Sequence, residues 1–243
     1  MWTALGFLTI FPTPRNAGLR ALSSDAAWYP FVGLLIGLIA SAAYLAFNIF
    51  FNVTIAAALT LLIWVLLTGG LHLDGLADTC DVLFAALPQE RRLEIMRDPR
   101  PGAFGVIGLV LVLLTKFAII STLPTQPVFA ALFPFLLAAT VARWLILPVA
   151  RMRRARTSGL GSDFAAGITF RTLLLAALLP ISLVALGDLR TLAALLLALF
   201  IVSVIVRAAY IRLGGISGDV LGALVELSEV AILLAFAFQW PYG

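Results

Sequence analysis

Three aspartates define the chemistry this chain can attempt. Asp74, Asp78 and Asp81 stand at i, i+4 and i+7 within Gly69-Gly70-Leu71-His72-Leu73-Asp74-Gly75-Leu76-Ala77-Asp78-Thr79-Cys80-Asp81. That spacing puts all three on one face of a helix. No basic residue lies between Asp74 and Asp81, and clustered like charges are unfavourable unless something cationic sits among them. A hard divalent cation such as Mg²⁺, which combines a few carboxylates with water and phosphate oxygens, is the natural candidate. His72, the only histidine, precedes Asp74 by two residues and is a candidate general base or substrate contact. A lone histidine is more often structural. Cys80 is the only cysteine, which excludes an intramolecular disulfide and reads best as a small space-filling residue.

A second acidic face lies near the other end of the chain. Asp219, Glu226 and Glu229 fall at i, i+7 and i+10 of a predicted helix, with both glutamates inside an apolar run. Ionisable groups at that depth are costly and usually functional. If this helix packs beside the first acidic face, six carboxylates share one cavity, enough for one or two metals. The alternative is structural: a protonated pair, or carboxylates bonded to Arg143 or Lys116.

Basic residues gather in two segments. Residues 90–98 read as a short amphipathic helix ended near Asp98 by Pro99. Arg97 and Arg100 have the chemistry to clamp a phosphate, and the same arginines would suit anionic lipid. Residues 151–161 carry Arg151, Arg153, Arg154 and Arg156, which serve equally as a topogenic cluster or as positive potential for a diphosphate.

These residues must be held by helices in a membrane. The chain of 243 residues is 63% hydrophobic and 12% charged, with a mean hydropathy of +1.11. A soluble domain is about 45–50% apolar and about 25% charged. The expected fold is all-α: a polytopic integral membrane helical bundle of about seven transmembrane helices, one domain over 1–243. Candidate spans are 28–50, 53–71, 103–123, 128–150, 172–187, 192–211 and 220–240, of which the fifth is short for a bilayer and contains Pro180, which would kink or tilt it. The second is expected to run on as one helix into the acidic motif. Residues 1–11 are too short to span, and with no basic residue ahead of the apolar stretch they do not resemble a cleaved signal peptide.

Arginine placement orders the spans. Arg15, Arg20, Arg91, Arg92, Arg97, Arg100, Arg151, Arg153, Arg154, Arg156, Arg171, Arg207 and Arg212 all fall towards one membrane side, and only Arg190 lies on the other. The positive-inside rule makes the arginine-rich side cytoplasmic. The aspartate motif lies on that side, as expected for a site facing an anionic cytoplasmic substrate. Nucleic acid is not an expected partner, because the basic residues are dispersed over membrane loops.

At these residues the chain closely resembles the cobalamin synthase family, the adenosylcobinamide-GDP ribazoletransferases. The family pattern pairs a GGLHLDGLADTADG-like segment with an EIMKDSRIGAFG-like segment. Here residues 69–81 and 94–105 stand in that order and spacing, and Gly214-Gly215-Ile216-Ser217-Gly218-Asp219 extends the likeness. Cys80, Val82, Arg97, Pro99 and Pro101 depart from the pattern, and they bear on loop shape more than on chemistry. The resemblance implies joining of adenosylcobinamide-GDP to α-ribazole, or its 5′-phosphate, with release of GMP. It also implies Mg²⁺ dependence and residence in the bacterial cytoplasmic (inner) membrane, in contact with lipid. Asp74, Asp78, Asp81 and His72 become the expected catalytic set. Glu94, Arg97, Asp98, Arg100 and Gly102 become the expected substrate-binding set. Asp74, Asp78, Asp81, Asp219, Glu226 and Glu229 are the expected metal ligands.

Two rivals remain at this level. The carboxylate order also looks like a relative of the CDP-alcohol phosphotransferase motif, although that motif's Ala-Arg and later aspartate spacing are missing. An ion-coupled transporter would use Glu226, Glu229, Lys116 and Arg143 as an intramembrane relay.

Overall fold

A computed structural model describes residues 1–13, 25–86, 88, 92, 100–155, 164–165 and 167–239. Within them the chain forms nine α-helices and a 3₁₀ turn, Ala26–Trp28. The helices are α1 (Trp2–Leu8), α2 (Tyr29–Phe50), α3 (Val53–Thr68), α4 (Leu71–Phe84), α5 (Ala103–Ile120), α6 (Val128–Ala150), α7 (Phe170–Leu186), α8 (Leu189–Leu213) and α9 (Gly218–Ala237). No β-strand occurs among the described residues, only an isolated bridge between Arg154 and Ile216.

Five helices are long and apolar enough to cross a membrane: the 26–50 stretch, α5, α6, α8 and α9. The shorter apolar α7 and the pair α3–α4 occupy the two remaining expected spans. The expectation of one continuous second helix is corrected. α3 and α4 meet at 91°, because Gly69 and Gly70 take left-handed backbone with φ of 61° and 70°. Two consecutive left-handed residues suit glycine, which has no Cβ to collide with the carbonyl. The Gly69 and Gly70 amides close the end of α3 on Leu66 O (3.1 Å) and Val65 O (3.2 Å), so the turn is satisfied before α4 begins. α1 is too short to span and is tied to this corner by Ile10 N donating to Leu67 O (2.9 Å).

Helix α6 and helix α9 form the inside of the bundle. Their most apolar stretches are 78% and 72% buried, against 28% for α5 and 22% for α8, which leaves the latter to face lipid. α6 packs on α2, α7 and α9, while α9 packs on α4, α5, α6 and α8. Gly33 and Gly37 of α2 lie directly on the Ala139 and Phe135 carbonyls of α6. Small residues four apart permit this close backbone approach, which drives helix association in lipid where hydrophobic segregation does not.

Between these helices sits a quartet of charges. Lys116 of α5 bonds Glu226 (2.5 Å) and Glu229 of α9, and Arg143 of α6 bonds Glu229. All four are buried. Lys116 also lies 5.2 Å from the centre of the Trp64 ring of α3, within cation–π range. Two positive and two negative charges cancel, as burial away from water requires.

Candidate active site

The acidic face of α4 is assembled by the corner at Gly69–Gly70 and by contact with the start of α9. Ser217 caps α9, its hydroxyl accepting from Val220 N (3.2 Å), and Asp219 falls in the first turn. Gly75 of α4 packs so close that a Cβ there would stand 2.8 Å from Asp219 O. Gly222 answers it from α9, where a Cβ would stand 3.2 Å from His72 O. Backbone thus meets backbone, and Asp74 and Asp219 arrive on one cavity from elements 145 residues apart in sequence.

That cavity, of about 230 Å³, is lined by His72 and Asp74 of α4 and Asp219 of α9, together with Phe7, Tyr29 and Phe164. His72 is buried and its Nδ1 has no hydrogen-bonding partner. Asp74 is exposed and Asp78, one turn on, is half-buried. The basic segment after α6 is fastened beside the same end of α9. Ile216 N donates to Arg153 O (2.9 Å) and Ala155 N donates to Ile216 O (3.0 Å). Arg153 N donates to the Tyr210 hydroxyl (3.0 Å).

Asp81, an expected metal ligand, is engaged at the start of α5. Its carboxylate accepts from Gly102 N (2.7 Å) and Gly105 N (2.8 Å) at the start of α5. Helix N-termini present unsatisfied N–H groups and partial positive charge, so Asp81 caps α5 from a different helix. A Cβ at Gly102 or Gly105 would collide with that carboxylate. Gly102, expected to bind substrate, makes room for Asp81.

Glu226 and Glu229 are likewise drawn off, since both belong to the quartet with Lys116 and Arg143. The expected cavity of six carboxylates is therefore not what the structure builds, and the structural alternative holds for these two. Among the described residues no three His, Cys, Asp or Glu side chains stand close enough to cage a metal. Asp74 and Asp219 on one cavity are still hard oxygen donors, and Mg²⁺ is commonly held by one or two carboxylates, with waters and substrate phosphates completing its shell. The donor set fits that mode and not a closed protein cage.

Of the expected substrate contacts, Glu94, Arg97 and Asp98 lie outside the described residues, and Arg100 is exposed just before α5. Tyr29 and Phe164 were not singled out by residue type or spacing. Aromatic residues are ordinary in membrane helices, so only their convergence on the His72 cavity distinguishes them.

Helix count, burial and an acid-lined cavity at the arginine-rich end define a multi-pass membrane protein built around a polar site. The chain matches the cobalamin-5-phosphate synthase family over residues 1–237, and it belongs to that family. Among its relatives are proteins named adenosylcobinamide-GDP ribazoletransferase from Escherichia coli O17:K52:H18, Shigella dysenteriae serotype 1 and Citrobacter koseri. Each is 38% identical over 96% of this chain and 97% of its own. No solved structure matches the chain.

Proposed function

We propose that this protein is an adenosylcobinamide-GDP ribazoletransferase of the bacterial inner membrane, with its active site facing the cytoplasm. It joins adenosylcobinamide-GDP to α-ribazole, or to α-ribazole 5′-phosphate, and releases GMP. The observation that carries the reading is the meeting of Asp74, Asp219 and His72 on one cavity, in a chain whose relatives bear that activity's name over almost their whole length.

The reaction exchanges one phosphorus–oxygen bond for another. A ribose hydroxyl of the acceptor attacks the cobinamide-side phosphorus of the diphosphate, and the bond to GMP breaks. Asp74 and Asp219 would hold Mg²⁺, with Asp78 beside them. When bound, the ion supplies charge neutralisation for the diphosphate and for the departing phosphate. His72 or one of the carboxylates takes the proton of the attacking hydroxyl. Arg97 and Arg100 steady phosphate oxygens through charge-assisted hydrogen bonds. Arg153 and Arg154, held beside the start of α9, add positive potential on the same side.

The cytoplasmic orientation rests on the arginines. Arg153 and Arg154 are fastened beside the start of α9, which lines the cavity, whereas Arg190 is the one arginine that lines the pocket near Pro124 and Asp188. The experiment is to measure GMP release from adenosylcobinamide-GDP and α-ribazole by the purified protein in detergent, with EDTA and with Mg²⁺ restored. Release that needs both substrates and Mg²⁺ is expected. No release with both substrates at saturating Mg²⁺ would remove the assignment.

A further inference from the structure

We propose that the His72 cavity is the binding site for the aromatic base of the acceptor nucleoside, with the Tyr29 hydroxyl as the group that recognises it. The proposal rests on the transferase reading above and deepens it, by assigning one substrate to one cavity.

Three rings converge on this cavity. Tyr29 stacks on Phe164 with centroids 5.3 Å apart and planes 19° from parallel. Phe7 also stacks on Tyr29, at 6.2 Å and 27°. They come from α1, from the start of α2 and from the segment ahead of α7, so no local sequence pattern brings them together. A flat base added to such a pile gains offset stacking beyond its area of contact.

Two buried polar atoms on the cavity lining have no partner. Tyr29 is 0% exposed and its hydroxyl makes no hydrogen bond, and His72 is 4% exposed with Nδ1 equally unpartnered. Leaving a buried polar group unsatisfied is costly, and nearly all such groups in folded proteins find a protein, water or ligand partner. Both residues line the same cavity as the stacked rings, with the orphan atoms themselves closed off from solvent. A small shift of either side chain would bring its orphan to a ligand that is aromatic on one side and polar on the other.

Size and polarity select which substrate this is. At about 230 Å³ the cavity is smaller than the roughly 300–1,000 Å³ of pockets that enclose drug-sized ligands. A bicyclic base matches that size better than a corrin macrocycle does. α-Ribazole is a benzimidazole riboside whose base has one free ring nitrogen, an acceptor, and otherwise only hydrocarbon. One tyrosine hydroxyl donor among phenyl rings matches it. Guanine, the base of the other substrate, has donors and acceptors along its edges, and the aromatic part of the cavity offers too few partners. With the base on the rings, the ribose points towards His72 and Asp74, where its hydroxyl is needed.

The test uses the full-length protein in detergent. Binding of α-ribazole alone is measured by isothermal titration calorimetry without Mg²⁺, and KM is measured for each substrate by GMP release. Tyr29→Phe removes the hydroxyl and keeps the ring. It is expected to weaken α-ribazole binding and raise the α-ribazole KM by about five- to tenfold, the loss of one net hydrogen bond. The KM for adenosylcobinamide-GDP and kcat should stay within about twofold. Phe164→Leu should raise the α-ribazole KM by about three- to tenfold, from lost stacking, while Phe164→Tyr restores it. A rise in KM for adenosylcobinamide-GDP alone would assign the cavity to guanine and overturn the proposal. Equal rises for both substrates, or unchanged α-ribazole affinity in both variants, would overturn it as well. Failure of the transferase reading looks different, because the wild-type protein then releases no GMP. In that case the calorimetry still decides: wild-type binding weakened about five- to tenfold in Tyr29→Phe upholds the base site, and unchanged binding in that variant or absence of wild-type binding sinks it.

Discussion

The two acidic helices, α4 and α9, have carboxylates at similar helical spacing and put them to opposite uses. On α9, Glu226 and Glu229 point into the bundle and are neutralised by Lys116 and Arg143 from two neighbouring helices. On α4, Asp74 reaches an open cavity, while Asp81 turns to the amides of Gly102 and Gly105. The difference follows from depth and from what each helix meets. A carboxylate inside the bundle has no water to solvate it, so it persists as a charge only with a cation against it. A carboxylate at the end of the bundle can face a cavity that a metal or substrate is able to enter. Asp219 belongs to α9 by sequence but to the α4 site by position, because it sits in the first turn, before the helix enters the core.

Substitutions that separate folding from chemistry sharpen this contrast. The largest effect is expected from Glu229→Gln, which leaves Lys116 and Arg143 buried with one countercharge fewer. Breaking a buried ion pair by removing one partner costs about 3–5 kcal/mol, so folded protein recovered from membranes should fall steeply. A Lys116→Met/Glu226→Leu pair removes opposite charges together, and it should cost less than the sum of its single changes in a double-mutant cycle. If the two single costs simply added, the quartet would not be a coupled unit.

Asp74→Asn should do the reverse. The protein should remain folded and membrane-bound, with GMP formation reduced by about 10²–10³-fold, the scale of losing one transition-state charge stabiliser. Near-normal turnover at saturating Mg²⁺ would take Asp74 out of the metal site. Asp78→Asn is expected to behave in the same direction, as the neighbouring carboxylate on the half-buried side of α4.

Gly75→Ala tests the contact that unites the two regions. A methyl group there meets Asp219 O, so α4 and α9 must separate, with an overpacking cost of about 1–3 kcal/mol. Thermal stability and activity should fall together. The smallest change is expected at Asp81. Asp81→Ala removes the cap from α5 at about 0.5–2 kcal/mol, read as a lowered melting temperature. Asp81→Asn keeps an acceptor for the Gly102 and Gly105 amides and should retain most of the activity. If Asp81→Asn lost as much turnover as Asp74→Asn, Asp81 would return to the metal set.

Much of the fold was legible because the membrane reduces the problem to length and hydropathy. Each of the seven apolar segments found from sequence contains a helix, with ends shifted by a few residues. The second reads as continuous because glycines such as Gly69 and Gly70 are also ordinary inside membrane helices. Only their left-handed backbone, set by the capping bonds at the end of α3, turns the chain. The site was legible in part for a related reason. Asp74 and His72 announce themselves by type and spacing, but spacing on a helix does not say which neighbour a carboxylate meets. The allocation of Asp81 to α5 and of Glu226 and Glu229 to Lys116 and Arg143 therefore had to wait for the packing.

Sequence alone determined that this chain crosses a membrane several times, that its arginines gather on one side, and that its aspartate motif lies there too. These are properties of composition and order along the chain, governed by transfer from water to lipid. Tertiary structure decided which carboxylates face the cavity. It joined Asp74 to Asp219 through the close approach of Gly75 and Gly222, and it brought Phe7, Tyr29 and Phe164 to the same cavity. Those outcomes depend on contacts between residues far apart in the chain, and helix periodicity carries no record of them.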